Sequence, residues 1–208
     1  MIDFTGAYAD IFEDGIVTQP KHESGEYFFD LSEDEGDAKL TKVRISNVPR
    51  TSILINLQFI QNKNVVEKLR TVFKEGENFF RLCDYLLIAK EEHPSSIKPY
   101  LHFIYIEMKS KNPVKTQIIQ QFKGASSFCR YVDAILEYNK DFIAERYYNI
   151  CLSFALFYFR ANKRPLSQEK KKLYSKRVSK KPNTMDDVRK FPSKVNPTFL
   201  FKDILEGI

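Results

Sequence analysis

Asp84, Glu107 and Lys109 are the residues of this 208-residue chain whose types and placement carry the most chemistry. Asp84 interrupts Phe79 to Ala89, an otherwise nearly continuous apolar run. An ionised carboxylate there is stripped of water, so it demands a cation, hydrogen-bond donors or a place at a sheet edge. Further on, Leu101, His102, Phe103, Ile104, Tyr105 and Ile106 lead into Glu107, Met108 and Lys109. On a strand Glu107 and Lys109 project to one side, about 6–7 Å apart, while Met108 joins Ile104 and Ile106 on the other. Two carboxylates and a backbone carbonyl, here that of Met108, suit a hard divalent cation such as Mg²⁺ or Mn²⁺, which binds phosphate oxygens and acidifies a water. Lys109 would orient or activate that water, or offset charge building on phosphorus, and in-line attack would cleave a phosphodiester. The same residues also fit a strand-end salt bridge between Glu107 and Lys109, with Asp84 as a hydrogen-bonded core group.

Several elements must position these groups. The run from Phe79 to Ala89 follows the turn-forming Glu75-Gly76-Glu77-Asn78 and predicts a buried strand; Pro94, Ser95, Ser96 and Pro99 mark a loop before a second apolar strand from Tyr100 to Lys109. A hairpin of these two strands would set Asp84 beside Glu107 and Lys109. Ile118, Phe122, Ala125, Cys129, Val132 and Leu136 repeat at spacings of four, three, four, three and four, which predicts a helix from about Pro113 to Tyr138. Gly124 inside it suggests a helix backbone lying close to the sheet. Strands are expected at Leu40 to Ser46, Ile53 to Ile60 and Tyr147 to Phe159, and a short helix at Asn64 to Phe73 with Asn64 as N-cap. Thr198 to Leu205 is apolar enough to dock on the body.

With these residues in place, the sequence resembles the PD-(D/E)xK nuclease superfamily, the group that contains many restriction endonucleases and repair nucleases. The likeness is carried by Asp84 in Cys83-Asp84-Tyr85-Leu86-Leu87-Ile88 and by Glu107-Met108-Lys109 closing Phe103-Ile104-Tyr105-Ile106. It covers about residues 64–159 and departs from the usual pattern in having Cys83 where a proline commonly precedes the first acid. The resemblance implies an α/β (α+β) fold with a restriction-endonuclease-like core of helix, strands, helix and strand, a mixed central sheet flanked by helices, and additions at both ends. It implies a metal-dependent endonuclease holding Mg²⁺ (or Mn²⁺), with Glu67 on the preceding helix as a further metal ligand. A glutamine or basic residue on the following helix would face the site. Gln121 is the choice among Gln117, Gln120, Gln121 and Lys123. DNA is the expected substrate ahead of RNA, and the resemblance together with the small size suggests an effector of bacterial anti-phage defence, acting as a homodimer or with a partner protein. The alternative is a nuclease-like subunit that binds nucleic acid or a protein without cutting.

Composition sets the outer bounds. With 43% hydrophobic and 14% aromatic residues, the chain suits a single globular domain over 1–208. The net charge of +6 conceals an asymmetry. Residues 1–37 hold eleven acids against Lys21, while the remaining 171 residues hold 32 bases and 16 acids. A polyanion would be drawn to the second part. Within the extension 160–208, Arg160 to Lys181 has ten bases against Glu169, with Tyr174 among them, and could grip a nucleic-acid backbone. The acidic segment, expected as loops with one or two edge strands, could cover that basic surface or imitate DNA. The longest apolar run, Asn149 to Phe159, is about half the roughly 20 residues that span a bilayer, and Met1, Ile2, Asp3 and Phe4 lack a secretory pattern, so a cytoplasmic protein with no membrane partner is expected. Cys83, Cys129 and Cys151 are expected as buried free thiols. His22, His93 and His102 have no metal-binding spacing, and no glycine-rich phosphate loop or Ser or Cys triad is present.

Overall fold

The computed structural model describes residues 4–32, 40–62, 81–110, 114–159, 184–193 and 197–206. The longest helix, α3, spans Lys115–Lys140 and buries all six residues of the predicted stripe, together with Gly124 and Ser126. It ends where Asp141 adopts the left-handed conformation (φ 47°) and its N–H closes on the Leu136 carbonyl, a C-terminal cap that an aspartate can form because its short side chain tolerates that region.

Helix α3 packs on a six-stranded sheet ordered β1-β5-β6-β7-β8-β9. These strands are β1 (Val17–Thr18), β5 (Ile53–Asn56), β6 (Tyr85–Glu91), β7 (Tyr100–Lys109), β8 (Asn149–Phe159) and β9 (Arg189–Ser193). The pairs β1–β5, β5–β6 and β6–β7 are antiparallel, whereas β7, β8 and β9 are mutually parallel. A parallel pair cannot be joined by a tight turn; α3 and the short α4 (Ala144–Tyr147) make the crossover between β7 and β8. Phe154 on β8 anchors the packing, since its ring lies 5.2 Å from Tyr105 and 5.4 Å from Phe122 of α3. Helix α1 (Phe4–Ala9) joins the same core through Phe4, Ala7 and Tyr8.

A second sheet covers the opposite face. Its order is β10-β4-β3-β2, from β2 (Lys21–Glu23), β3 (Glu26–Ser32), β4 (Lys42–Ser46) and β10 (Thr198–Leu200), with β10 parallel to β4 and the other pairs antiparallel. Phe29, Leu31, Val43 and Ile45 from this sheet meet Tyr85, Leu87, Ile104, Ile106 and Met108 from the larger one, and α5 (Phe201–Glu206) adds Phe201 and Ile204. Strands of the larger sheet therefore bury both faces, which explains why β6 and β7 read as continuous apolar runs rather than alternating ones.

The chain is thus a mixed α/β fold with two mixed sheets flanked by helices. Four expectations need correction. A sheet, not a layer of helices, covers most of one face of the central sheet. The stretch expected as one strand from Ile53 to Ile60 divides into β5 and helix α2 (Leu57–Asn62), because the Asn56 side chain accepts the Phe59 N–H at 2.9 Å and caps a helix there. Residues 4–32, expected as loops with one or two edge strands, instead form helix α1, which joins the core, and the three strands β1, β2 and β3. Cys151 is half-buried rather than buried, whereas Cys83 and Cys129 are buried free thiols. The Asn64 to Phe73 helix, Glu67 and the basic Arg160 to Lys181 segment lie outside the described residues. Among the described residues no helix is long and apolar enough to cross a membrane.

Candidate active site

The hairpin that the sequence requires is formed. β6 and β7 pair antiparallel with Tyr85 opposite Ile106, which sets the preceding residue, Asp84, against Glu107. The strand, however, starts only at Tyr85, one residue beyond Asp84. Asp84 is at a bend immediately before β6, not inside a strand beginning at Phe79. Its backbone carbonyl accepts the N–H groups of Leu57 and Gln58 at 2.9 and 3.1 Å, and its carboxylate Oδ2 accepts the Met108 N–H at 2.6 Å. These bonds hold the carboxylate at the end of the sheet, beyond the last ladder pair. The first turn of α2 is therefore a positioning element that sequence reasoning missed, and the one local signal for it is the Asn56 cap.

Glu107 follows from strand alternation. Its neighbours Ile106 and Met108 face the second sheet, so Glu107 faces α3 together with Tyr105 and Lys109. Helix α3 closes over it: Glu107 is 0% exposed, with Phe122 buried nearby in the helix–sheet core. Lys109 Nζ lies 2.5 Å from Glu107 Oε1, and the lysine side chain is 31% exposed, so the pair joins a fully buried carboxylate to an ammonium that still reaches solvent. Lys109 and the Gln121 amide are the polar groups that reach this carboxylate from its own face of the sheet. The ion pair offsets part of the cost of burying the charge.

The electrostatics follow from that geometry. Burial, and then the charge of Asp84, drive the Glu107 carboxyl well above its ordinary range; Lys109 and the Gln121 amide of α3 oppose the rise. Gln121 thus faces the site as the sequence suggested, close enough to act on Glu107. Beneath the pair the Cys83 thiol is pushed far up by burial and by the charges of Glu107 and Asp84, which makes it an inert neighbour and not a nucleophile. Cys83 Sγ donates to the Tyr85 carbonyl at 3.4 Å and fixes the bend from below.

The four predicted groups Asp84, Glu107, Lys109 and Gln121 are therefore brought together, with the Met108 backbone at their centre; Glu67 lies outside the described residues. Among the described residues no group of three or more His, Cys, Asp and Glu side chains could hold a metal ion. Two side-chain carboxylates and one backbone carbonyl form a set that such a grouping does not include. The histidines are engaged elsewhere: His102 Nε2 lies 2.8 Å from Glu91 Oε2, His93 contacts Ser95, and His22 packs against Tyr27. No protein-family model, curated protein or solved structure matches the chain.

Proposed function

We propose that the protein is a metal-dependent nuclease of the PD-(D/E)xK type, hydrolysing phosphodiester bonds with DNA as the preferred substrate. One observation carries the reading: Glu107 is wholly buried at the end of a sheet strand, with Lys109 at 2.5 Å, and a second carboxylate, Asp84, is close enough to oppose its ionisation. A structural salt bridge would explain Glu107 with Lys109. The bond from the Met108 N–H holds Asp84, but neither interaction accounts for a second carboxylate set where its charge opposes ionisation of Glu107 and weakens the arrangement as a source of stability. Violations of burial rules of this kind are expected where a site is arranged for chemistry.

The donor set fits a hard divalent cation. Both carboxylates are present, and a strand residue directs its N–H and C=O to the same edge, so the bond from the Met108 N–H to Asp84 turns the Met108 carbonyl toward Asp84 as well. Asp84, Glu107 and the Met108 carbonyl would hold Mg²⁺ or Mn²⁺, which when bound acts as a Lewis acid on phosphate oxygens and acidifies a water. Lys109 keeps its ammonium on the solvent side of Glu107, where it meets the scissile phosphate, offsets charge growing there and orients the attacking water. Gln121 offers an amide from α3 to the same side of the sheet and positions Glu107 or the water. The order of elements around the site also supports the reading: two antiparallel motif strands, then a helix crossing to a parallel strand.

The test is incubation of the pure full chain with supercoiled plasmid and with RNA, in Mg²⁺, in Mn²⁺ and in EDTA. Cleavage in metal that disappears in EDTA and in Glu107→Ala and Lys109→Ala, with circular dichroism of both variants unchanged, is the expected result. Cleavage that persists in both variants means another site, and binding without cleavage by the wild type means a nuclease-like binding subunit.

A further inference from the structure

A second feature lies on the same helix but away from the catalytic trio. Between the C-terminal half of α3, the N-terminal halves of β7 and β8, and α4 there is a cavity of about 280 Å³. Its floor is apolar and partly aromatic, from Phe103, Tyr105, Ile150 and Leu152. Asp133 and Glu145 bring two carboxylates to it, and Arg130 one guanidinium. Asp133 is twelve residues beyond Gln121, which on a helix is about 18 Å, so the charged end of the cavity is remote from the proposed catalytic groups although Tyr105 lines its near end, and its occupant is argued independently of the nuclease reading.

The chemistry of the lining selects the occupant. A cavity left by imperfect packing is apolar and stays empty; here a largely buried carboxylate faces the space. Asp133 takes a hydrogen bond from the Tyr8 hydroxyl of α1, and Arg130 acts on it only through charge. Glu145 is exposed and has its backbone carbonyl fixed by Lys98 Nζ at 3.1 Å. The three charged lining groups sum to one negative charge, above an apolar floor. At about 280 Å³ the volume lies just below that of drug-sized sites, roughly 300 to 1,000 Å³, and suits a fragment-sized ligand.

We propose that this cavity is a binding site for a small organic monocation with a flat apolar body, of the aryl amidine or arylalkyl amine class. The apolar part lies on Phe103, Tyr105, Ile150 and Leu152, and the cationic end meets Asp133 and Glu145. Asp133 is the specificity-determining group because it is the more deeply buried of the two carboxylates, where a second, directly bonded cation adds most to what Arg130 supplies through charge alone.

Benzamidine and benzamide test this, since the two have nearly the same shape and only the first is charged at neutral pH. Thermal unfolding of the full chain is followed at matched ionic strength over a concentration series of each, up to about 10 mM, the range in which a fragment of this size binds. Benzamidine raises Tm with saturation, as a ligand of the folded state must, and benzamide raises it at least tenfold more weakly in concentration. Asp133→Asn keeps an acceptor for Tyr8 and weakens benzamidine at least tenfold. Glu145→Gln, on an exposed side chain, gives the same direction should Asp133→Asn fail to fold. Equal responses to the two compounds, the absence of a saturable response to benzamidine, or an undiminished response in the folded variant overturns the proposal.

Discussion

Replacing Glu107 by glutamine should make the protein more stable at neutral pH while removing its activity. The carboxyl has its pKa raised by burial and by Asp84, so the sign can be worked directly. Between the ordinary glutamate value of 4.5 and the raised folded value, the unfolded chain has released this proton while the folded chain still holds it. Stability from this group is full below the ordinary value and falls as pH rises through that window, by about 1.4 kcal/mol for each pH unit. Above the folded value the loss is complete and constant. In Glu107→Gln that slope is absent. The partner left behind, Lys109, is 31% exposed and can be hydrated, so its release costs little. Urea unfolding of wild type and variant in EDTA, at half-unit steps from pH 5 to 8, should show the difference moving in favour of the variant as pH rises, with a slope of at most about 1.4 kcal/mol per pH unit. Mg²⁺ should then restore wild type selectively: at ten times its dissociation constant it adds about 1.4 kcal/mol to wild type and nothing to the variant. A difference that stays constant from pH 5 to 8 would refute the claim that Glu107 is held against its ionisation.

Four further outcomes are expected. Asp84→Asn keeps an acceptor for the Met108 N–H and therefore the fold, but should lower the Mg²⁺-dependent cleavage rate by about 10²–10³-fold, measured under single-turnover conditions. Asn56→Ala removes the cap of α2 and should cost about 1 kcal/mol in urea unfolding, with a smaller loss of activity because α2 positions Asp84. Phe122→Ala removes a fully buried ring packed on Phe154 and should cost about 3–5 kcal/mol, read as a fall in the denaturation midpoint. Tyr8→Phe leaves Asp133 without its hydroxyl donor and should cost about 1–3 kcal/mol in the same measurement, without altering cleavage.

Legibility in the sequence depended on whether a signal was local. The helix stripe from Ile118 to Leu136 could be read because one periodicity extends over five turns, and all six positions are buried. β7 could be read because both its ends have markers: Pro99 before it, and the change from apolar to charged residues at Glu107. The hairpin followed from the short loop between the two strands. By contrast, Asp84 was placed inside a strand since nothing adjacent in sequence announces the bend; the bonds that make it come from Leu57, Gln58 and Met108, residues far away along the chain. Helix α1 holds only six residues, including Gly6, too few for a period to show. The second sheet was hidden because its strands come from both ends of the chain and meet through pairing such as Phe199 with Ile45. The full burial of Glu107 was likewise not a property of the Glu-Met-Lys triplet but of α3 closing over it.

The most direct test of the central claim is the single-turnover cleavage of a labelled DNA duplex by the wild-type chain and by Lys109→Ala, with Mg²⁺ in excess. Loss of a group that stabilises charge only in the transition state should lower the rate by about 10²–10³-fold, with DNA binding little changed. Equal rates in the two proteins, or no Mg²⁺-dependent cleavage of DNA or RNA by the wild type, would contradict the account.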